Sequence, residues 1–159
     1  QVWGRNPESR AAFAATLAAE GLPATACDDL EAGVRACDII SCATTSTTPL
    51  VRGAWLQPGT HVDLVGGFKP DMREADDAAV QIARVCVDTY AGALSEAGDL
   101  VQPLQTGSIA RSHVLAELAE LARGQVVLRR SDDDITLFKS VGTALEDLAA
   151  AQLVWQQAA

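Results

Sequence analysis

Apolar positions in this chain alternate between short β-patterned runs and stretches with helical spacing, and the alternation begins at once. Gln1 to Trp3 reads as the tail of a buried strand, ended by Gly4-Arg5-Asn6-Pro7, with Pro7 opening a helix that runs to about Glu20. Phe13, Leu17 and the alanines around them form its apolar face, and Gly21 stops it. Ala24 to Cys27 reads as a short strand, Asp28-Asp29 caps a second helix to about Ala36, and Asp38 to Cys42 is the next strand. Strands alternating with short helices imply right-handed crossovers and a parallel, doubly wound sheet.

The same texture continues. Leu50 to Gln57 leads to a turn at Pro58-Gly59, and His61 to Val65 is a strand that empties into Gly66-Gly67. Arg84 to Asp88 is the following strand. From Tyr90 to Gly98 the pattern gives a short helix, with Asp99 to Pro103 as a connection; Ser112 begins a helix carrying Leu115, Leu118 and Leu121 on one side and ending at Gly124. Arg129 to Asp134 is a solvated charged turn, Ile135 to Phe138 a strand, Lys139 to Gly142 its exit, and Thr143 to Ala158 one long Ala-rich helix.

Composition narrows the class. A chain of 159 residues fits one domain able to bury a core without disulfides or metal, and 48% hydrophobic residues with a net charge of -9 describe an acidic globule. No apolar run approaches the ~20 residues of a membrane helix, and the acidic balance with only seven aromatic residues (three Trp, one Tyr, three Phe) argues against nucleic acid. The chain starts without Met, signal segment or basic leader, so the natural start is expected to be missing. Cys27, Cys37, Cys42 and Cys86 sit among small or apolar neighbours and read as buried, reduced residues, which makes cytoplasm the default compartment. With only His61 and His113, well apart, no metal site is expected, and both histidines read as structural or surface residues.

Two strand exits suggest chemistry. In open α/β sheets ligands bind beyond the carboxyl ends of the strands. Gly66-Gly67 lies there and allows close backbone approach to something flat or charged; the alternative is an ordinary loop. Ala43 to Thr48 carries five hydroxyls at another exit and can hydrogen-bond a ligand, or be a plain polar connection.

Four segments in order, Val2 to Arg5, Asp38 to Pro49, Pro58 to Asp76 and Asp134 to Ala151, resemble the ornithine cyclodeaminase and mu-crystallin family. Ile135-Thr-Leu-Phe-Lys-Ser-Val-Gly-Thr-Ala-Leu-Glu-Asp-Leu-Ala-Ala-Ala151 is the most specific piece. The resemblance implies an α/β, Rossmann-like, doubly wound and mostly parallel sheet with flanking helices. It would span residues 1–159 as a single partial nicotinamide-nucleotide domain lacking its first β-α unit, with helix 143–159 packing toward an N-terminal substrate and dimerisation domain. At the end of a second Rossmann strand an acidic residue reads the ribose, whereas Arg accommodates a 2′-phosphate. Arg5 and Asn6 stand at that place, so NADPH is favoured over NADH; the alternative is that Arg5 only covers the helix start. By the same resemblance Thr44, Thr45 and Ser46 would lie under the cofactor, Val65 and Gly66 near the nicotinamide, and Ser140 and Val141 across from it, unless Ser140 is simply a helix cap.

Cyclodeaminases of the family place a catalytic Asp directly after the Gly-Gly equivalent; this chain has Phe68. An aromatic ring neither positions water nor accepts a proton. Val65 to Glu74 instead resembles the imine reductases acting on 1-pyrroline-2-carboxylate or 1-piperideine-2-carboxylate, in which Phe68 would wall the flat cyclic imino acid. The expectation is therefore an NAD(P)H-dependent imine (ketimine) reductase, a homodimer when complete, with its catalytic proton donor and carboxylate-binding residues outside this chain. An ornithine cyclodeaminase-type lyase and a non-catalytic mu-crystallin-like NADP(H)-binding protein are the alternatives.

Overall fold

A computed structural model describes residues 1–158 and divides the chain into two compact units, Gln1–Cys37 and Asp38–Ala159.

The first unit is a small β-α-β-α piece. Val2 and Ala26 form one isolated parallel bridge, closed by hydrogen bonds from Val2 N to Thr25 O (2.9 Å) and from Cys27 N to Val2 O (2.8 Å). Both segments that read as strands are therefore reduced to a single bridge, and Val2 is half-buried rather than buried. Helix α1, Pro7–Ala19, joins them; Asn6 caps it by accepting from Ser9 N at 2.8 Å, and Gly21 ends it at φ 88°. Its expected apolar face is not covered: Phe13 is 55% exposed and Ala14 alone is buried. Helix α2, Leu30–Arg35, is capped by Asp29.

The second unit holds a five-stranded parallel sheet of β1 (Ile39–Cys42), β2 (His61–Leu64), β3 (Arg84–Val87), β4 (Val114–Glu117) and β5 (Thr136–Lys139), in the order β1-β2-β5-β3-β4. Helices α3 (Asp77–Ile82), α4 (Tyr90–Glu96), α5 (Gly98–Thr106), α6 (Leu118–Ala122) and α7 (Ala144–Ala158) complete it. The fold is thus the Rossmann-like, parallel α/β architecture that the alternation predicts. Central strands covered on both faces are continuously apolar. Val85, Cys86 and Val87 of β3 are all buried, as are Val62 and Leu64 of β2, whereas Ile39 on the edge strand β1 is exposed.

Three expectations need correction. The region read as one helix from Ser112 is a 3-10 turn (Arg111–His113), then strand β4, then the short α6, with Gly124 (φ 68°) ending it as expected. Val114 and Ala116 point inward with the period of a strand, and pairing to β3 outweighs the helical spacing of the leucines. Asp99 to Pro103 is helix α5 rather than a connection. Of the four free cysteines, Cys42 and Cys86 are buried, but Cys27 and Cys37 are only half-buried. The histidines are structural: His61 Nδ1 meets Thr136 Oγ1 at 2.8 Å, His113 Nε2 meets Val80 O at 2.7 Å, and burial pulls the His61 imidazole below its usual range. The Arg129–Asp134 corner closes on itself, Asp134 accepting from the amides of Arg130 and Ser131. No helix among the described residues is long and apolar enough to cross a membrane.

Candidate functional site

Register places one end of the sheet in a row. Cys42 pairs with Leu64, Leu64 with Lys139, and Lys139 with Val87, so β1, β2, β5 and β3 finish side by side and their exits lie next to one another. Thr44 and Ser46 follow β1, Val65 and Gly66 follow β2, and Ser140 and Val141 follow β5. Six residues singled out in the sequence thereby share one edge, and Thr45 is exposed beside them. Arg5 and Asn6 belong to the first unit. Asn6 Oδ1 is engaged as the α1 cap, while Arg5 is exposed.

The exits are held from beneath rather than left as free loops. Val65 N and Gly66 N both donate to Cys42 O (2.8 and 3.2 Å), and Gly67 N donates to Thr44 O at 3.2 Å. Gly66 has no room for a side chain, since a Cβ there would overlap the backbone N and O of Thr44 and Glu74 Oε1. Gly67 sits at φ 58°, and a Cβ on it would lie 2.8 Å from Asp99 Oδ2. The Gly-Gly pair therefore serves a close approach within the protein itself, to the β1 exit and to a buried ionic cluster. Ser46 is likewise turned inward, its hydroxyl donating to Thr48 O at 2.7 Å.

Pattern reading missed that cluster. Lys139, Glu74 and Asp99 are fully buried. The Lys139 ammonium donates to Gly66 O and lies 3.0 Å from Asp99 Oδ2 and 4.0 Å from Glu74 Oε2. Asp99 Oδ1 accepts from Glu74 N (2.7 Å) and Ala75 N (2.9 Å), and Glu74 Oε1 accepts from Thr44 N at 2.6 Å. Burial pushes the Glu74 carboxyl upward against the opposing pull of the Thr44 bonds and Lys139. The nearby Cys42 thiol is pushed up to about 12 by burial, with Glu74 and Asp99 adding to the shift, so it is no nucleophile.

Asp88, also missed, organises the third exit. Its Oδ2 accepts from Ser140 Oγ (3.1 Å), Val141 N (2.8 Å) and Gly142 N (2.8 Å), and its Oδ1 from Thr89 N (2.6 Å). Ser140 Oγ thus donates to Asp88 and accepts from Gly142 N at 3.2 Å, which fixes the side chain at the exit. Asp88→Ala strands three amide donors and a hydroxyl; a charge-assisted bond contributes about 1.5–3 kcal/mol, so a net loss of about 2 kcal/mol is expected in urea unfolding, solvation of the half-buried amides returning the remainder. An unchanged midpoint would mean that the exit is held by its backbone alone.

Besides Thr45, two apolar side chains remain open on this edge. Val65 is 48% exposed and Phe68 44% exposed, with Lys69 Nζ 5.7 Å from the Phe68 ring centroid. No group of three or more metal-ligating side chains occurs among the described residues. A flat, largely neutral ring against Val65 and Phe68, with polar groups over the Thr44–Ser46 and Ser140–Val141 exits, suits such a surface, and the edge fits a nicotinamide nucleotide.

Comparison with known proteins places the chain in a family. The ornithine cyclodeaminase/mu-crystallin family model matches residues 1–159. A Delta(1)-pyrroline-2-carboxylate reductase from Paracoccus denitrificans is 41% identical over 153 residues, covering 96% of this chain and 48% of the relative. The solved structure of Thermococcus litoralis Delta(1)-pyrroline-2-carboxylate reductase in complex with NADH and L-proline superposes with a TM-score of 0.95 at 36% identity, covering 98% of this chain and 49% of that one. An archaeal alanine dehydrogenase dimer with bound NAD gives a TM-score of 0.91 at 28% identity, covering 98% and 48%. The chain spans about half the length of the relatives it matches, and it belongs to the ornithine cyclodeaminase/mu-crystallin family.

Proposed function

We propose that this chain forms the nicotinamide-binding half of a reductase that converts a cyclic imino acid, 1-pyrroline-2-carboxylate or 1-piperideine-2-carboxylate, to the cyclic amino acid. The observation that carries the reading is the exposed apolar pair Val65 and Phe68 at the exit of β2, where a cyclodeaminase would need a carboxylate. The reductases among its relatives support it. The bound nicotinamide supplies the hydride. Val65 and Phe68 give a flat ring an apolar wall and keep bulk water off its face, while the Thr44–Ser46 and Ser140–Val141 exits hold the nucleotide and fix its position. Dimer formation is part of the proposal, in line with the dimeric archaeal neighbour. The test follows cofactor absorbance with both cyclic imines and ammonia release from ornithine, using the full-length protein. Cofactor consumption without ammonia is expected. Ammonia release would overturn the assignment, and silence in both assays would favour a non-catalytic nucleotide-binding protein.

Within this reading Arg5 gives a preference for NADPH. It is exposed at the exit of the Val2 bridge and forms no ion pair among the described residues, so its guanidinium is open to a 2′-phosphate. Arg5→Ala is expected to weaken NADPH by about tenfold or more, the worth of a charge-assisted hydrogen bond, with NADH little affected. Fluorescence titration of both cofactors measures it. Equal losses would make Arg5 a support for the helix start.

A further inference from the structure

Lys139 heads the fully buried side chains by volume, and it sits where a central parallel strand ordinarily carries an aliphatic residue. Burying an ammonium and two carboxylates is costly, and an apolar trio would fill the volume with less penalty. Polar groups contribute direction instead. Here every direction is specified: Lys139 toward Gly66 O, Asp99 toward the amides of Glu74 and Ala75, Glu74 toward the amide of Thr44. Asp99 Oδ2, although 3.0 Å from the ammonium, is out of line for a hydrogen bond, and Glu74 Oε2 has no hydrogen-bond partner. The ammonium is thus committed to the Gly66 carbonyl, and the carboxylates compensate its charge.

We propose that Lys139 is a positioning residue of the cofactor edge: clamped between Asp99 and Glu74, it fixes the Gly66 carbonyl directly and the Thr44 amide through Glu74, so that the β1 and β2 exits hold one shape before any nucleotide arrives. The proposal rests on reading that edge as the nicotinamide site. Its physical basis is that these three side chains tie α5 and the 74–75 segment to the β1, β2 and β5 exits, beside the backbone bonds between the exits themselves and the two glycines that make room for the cluster. A site assembled in advance binds without the entropy of ordering its loops.

Lys139→Met alone leaves Asp99 charged and uncompensated, so the informative variant is Lys139→Met with Asp99→Asn. It removes one charge of each sign, so the cluster's net charge is that of the parent, while the Asn oxygen still accepts from Glu74 N and Ala75 N. Two readouts separate positioning from mere stability. NAD(P)H affinity, by fluorescence titration, is expected to fall by about tenfold or more, because small displacements of a binding constellation are costly. Amide hydrogen exchange at Val65, Gly66 and Gly67 is expected to quicken, also by about tenfold, at a temperature where the variant is folded. A folded double variant with parental affinity and parental exchange would overturn the proposal. Failure of the unaltered protein to bind either cofactor would refute the reading of the site, and the exchange rates would still decide the role of Lys139. If the double variant does not fold, Glu74→Gln and Glu74→Leu take its place. Gln keeps the acceptor for Thr44 N and should lose several-fold less than Leu in both readouts, whereas Leu should loosen Thr44 and weaken the cofactor by about tenfold; identical behaviour of the two would equally overturn the proposal.

Discussion

Gly66→Ala is expected to abolish cofactor binding and to destabilise the second unit by about 4 kcal/mol or more, the upper end of single-substitution effects. A methyl at this position overlaps the backbone N and O of Thr44 and Glu74 Oε1 together. None of the three yields easily: Thr44 N is tied to Glu74, Thr44 O accepts from Gly67 N, and Glu74 is fully buried. Relief requires the β1 and β2 exits to separate, which breaks both bonds to Cys42 O. Gly124→Ala is the control, because Gly124 has φ 68° but open space around it; its cost should be near the 1–2 kcal/mol of left-handed backbone strain. Chemical denaturation of the pair measures the difference. A cost for Gly66→Ala no larger than that of Gly124→Ala would show that the exits have slack enough to take the methyl.

How much of this was legible in the sequence differs from element to element. The strands that became β1, β2, β3 and β5 were readable because each is a short β-branched run bounded by turn residues, and three of them lie inside the sheet where burial agrees with propensity. Strand β4 was not, because Leu115, Leu118 and Leu121 mimic a helical face and only the free edge of β3 makes Val114 and Ala116 a strand. Helix α5 was hidden by Gly98 at its start and Pro103 inside it, both poor helix formers. That glycine is fixed by packing, since a Cβ there would meet the carbonyls of Lys69, Pro70 and Met72.

The site divides similarly. Its glycines, hydroxyls and Phe68 announced a strand-exit site because composition at such exits is distinctive. Lys139, Glu74, Asp99 and Asp88 did not, since charged residues read as surface by default and partners so far apart in sequence leave no local pattern. One signal was available: a lysine ending an apolar run, immediately before small residues, is out of place on a central strand. The role expected of Gly-Gly also shifted, from approach to a ligand toward approach to the protein's own interior, which no single-sequence argument separates.

Phe68→Asp is expected to lower kcat/KM for the cyclic imino acid by about a hundredfold while leaving the unfolding midpoint within about 0.5 kcal/mol of the parent. Stability is spared because Phe68 is 44% exposed and the Lys69 ammonium, 5.7 Å from its ring centroid, would welcome a carboxylate. Activity is not spared, because the proposed substrate is itself an anion. Two like charges ~4 Å apart repel by about 1 kcal/mol in water and about 4 kcal/mol near a protein surface, and a half-exposed position falls between, at roughly 2–3 kcal/mol. Loss of the apolar wall adds to this. The two contributions are separable: Phe68→Asn removes the ring without adding charge, and should recover part of the rate at low salt, where the Asp variant suffers most. Neither variant is expected to release ammonia from ornithine, since one carboxylate does not by itself assemble the set of groups that positions an attacking water. Parallel steady-state assays and thermal unfolding give the answer. A Phe68→Asp protein that reduces the imine at the parental rate would place the substrate elsewhere on the sheet edge.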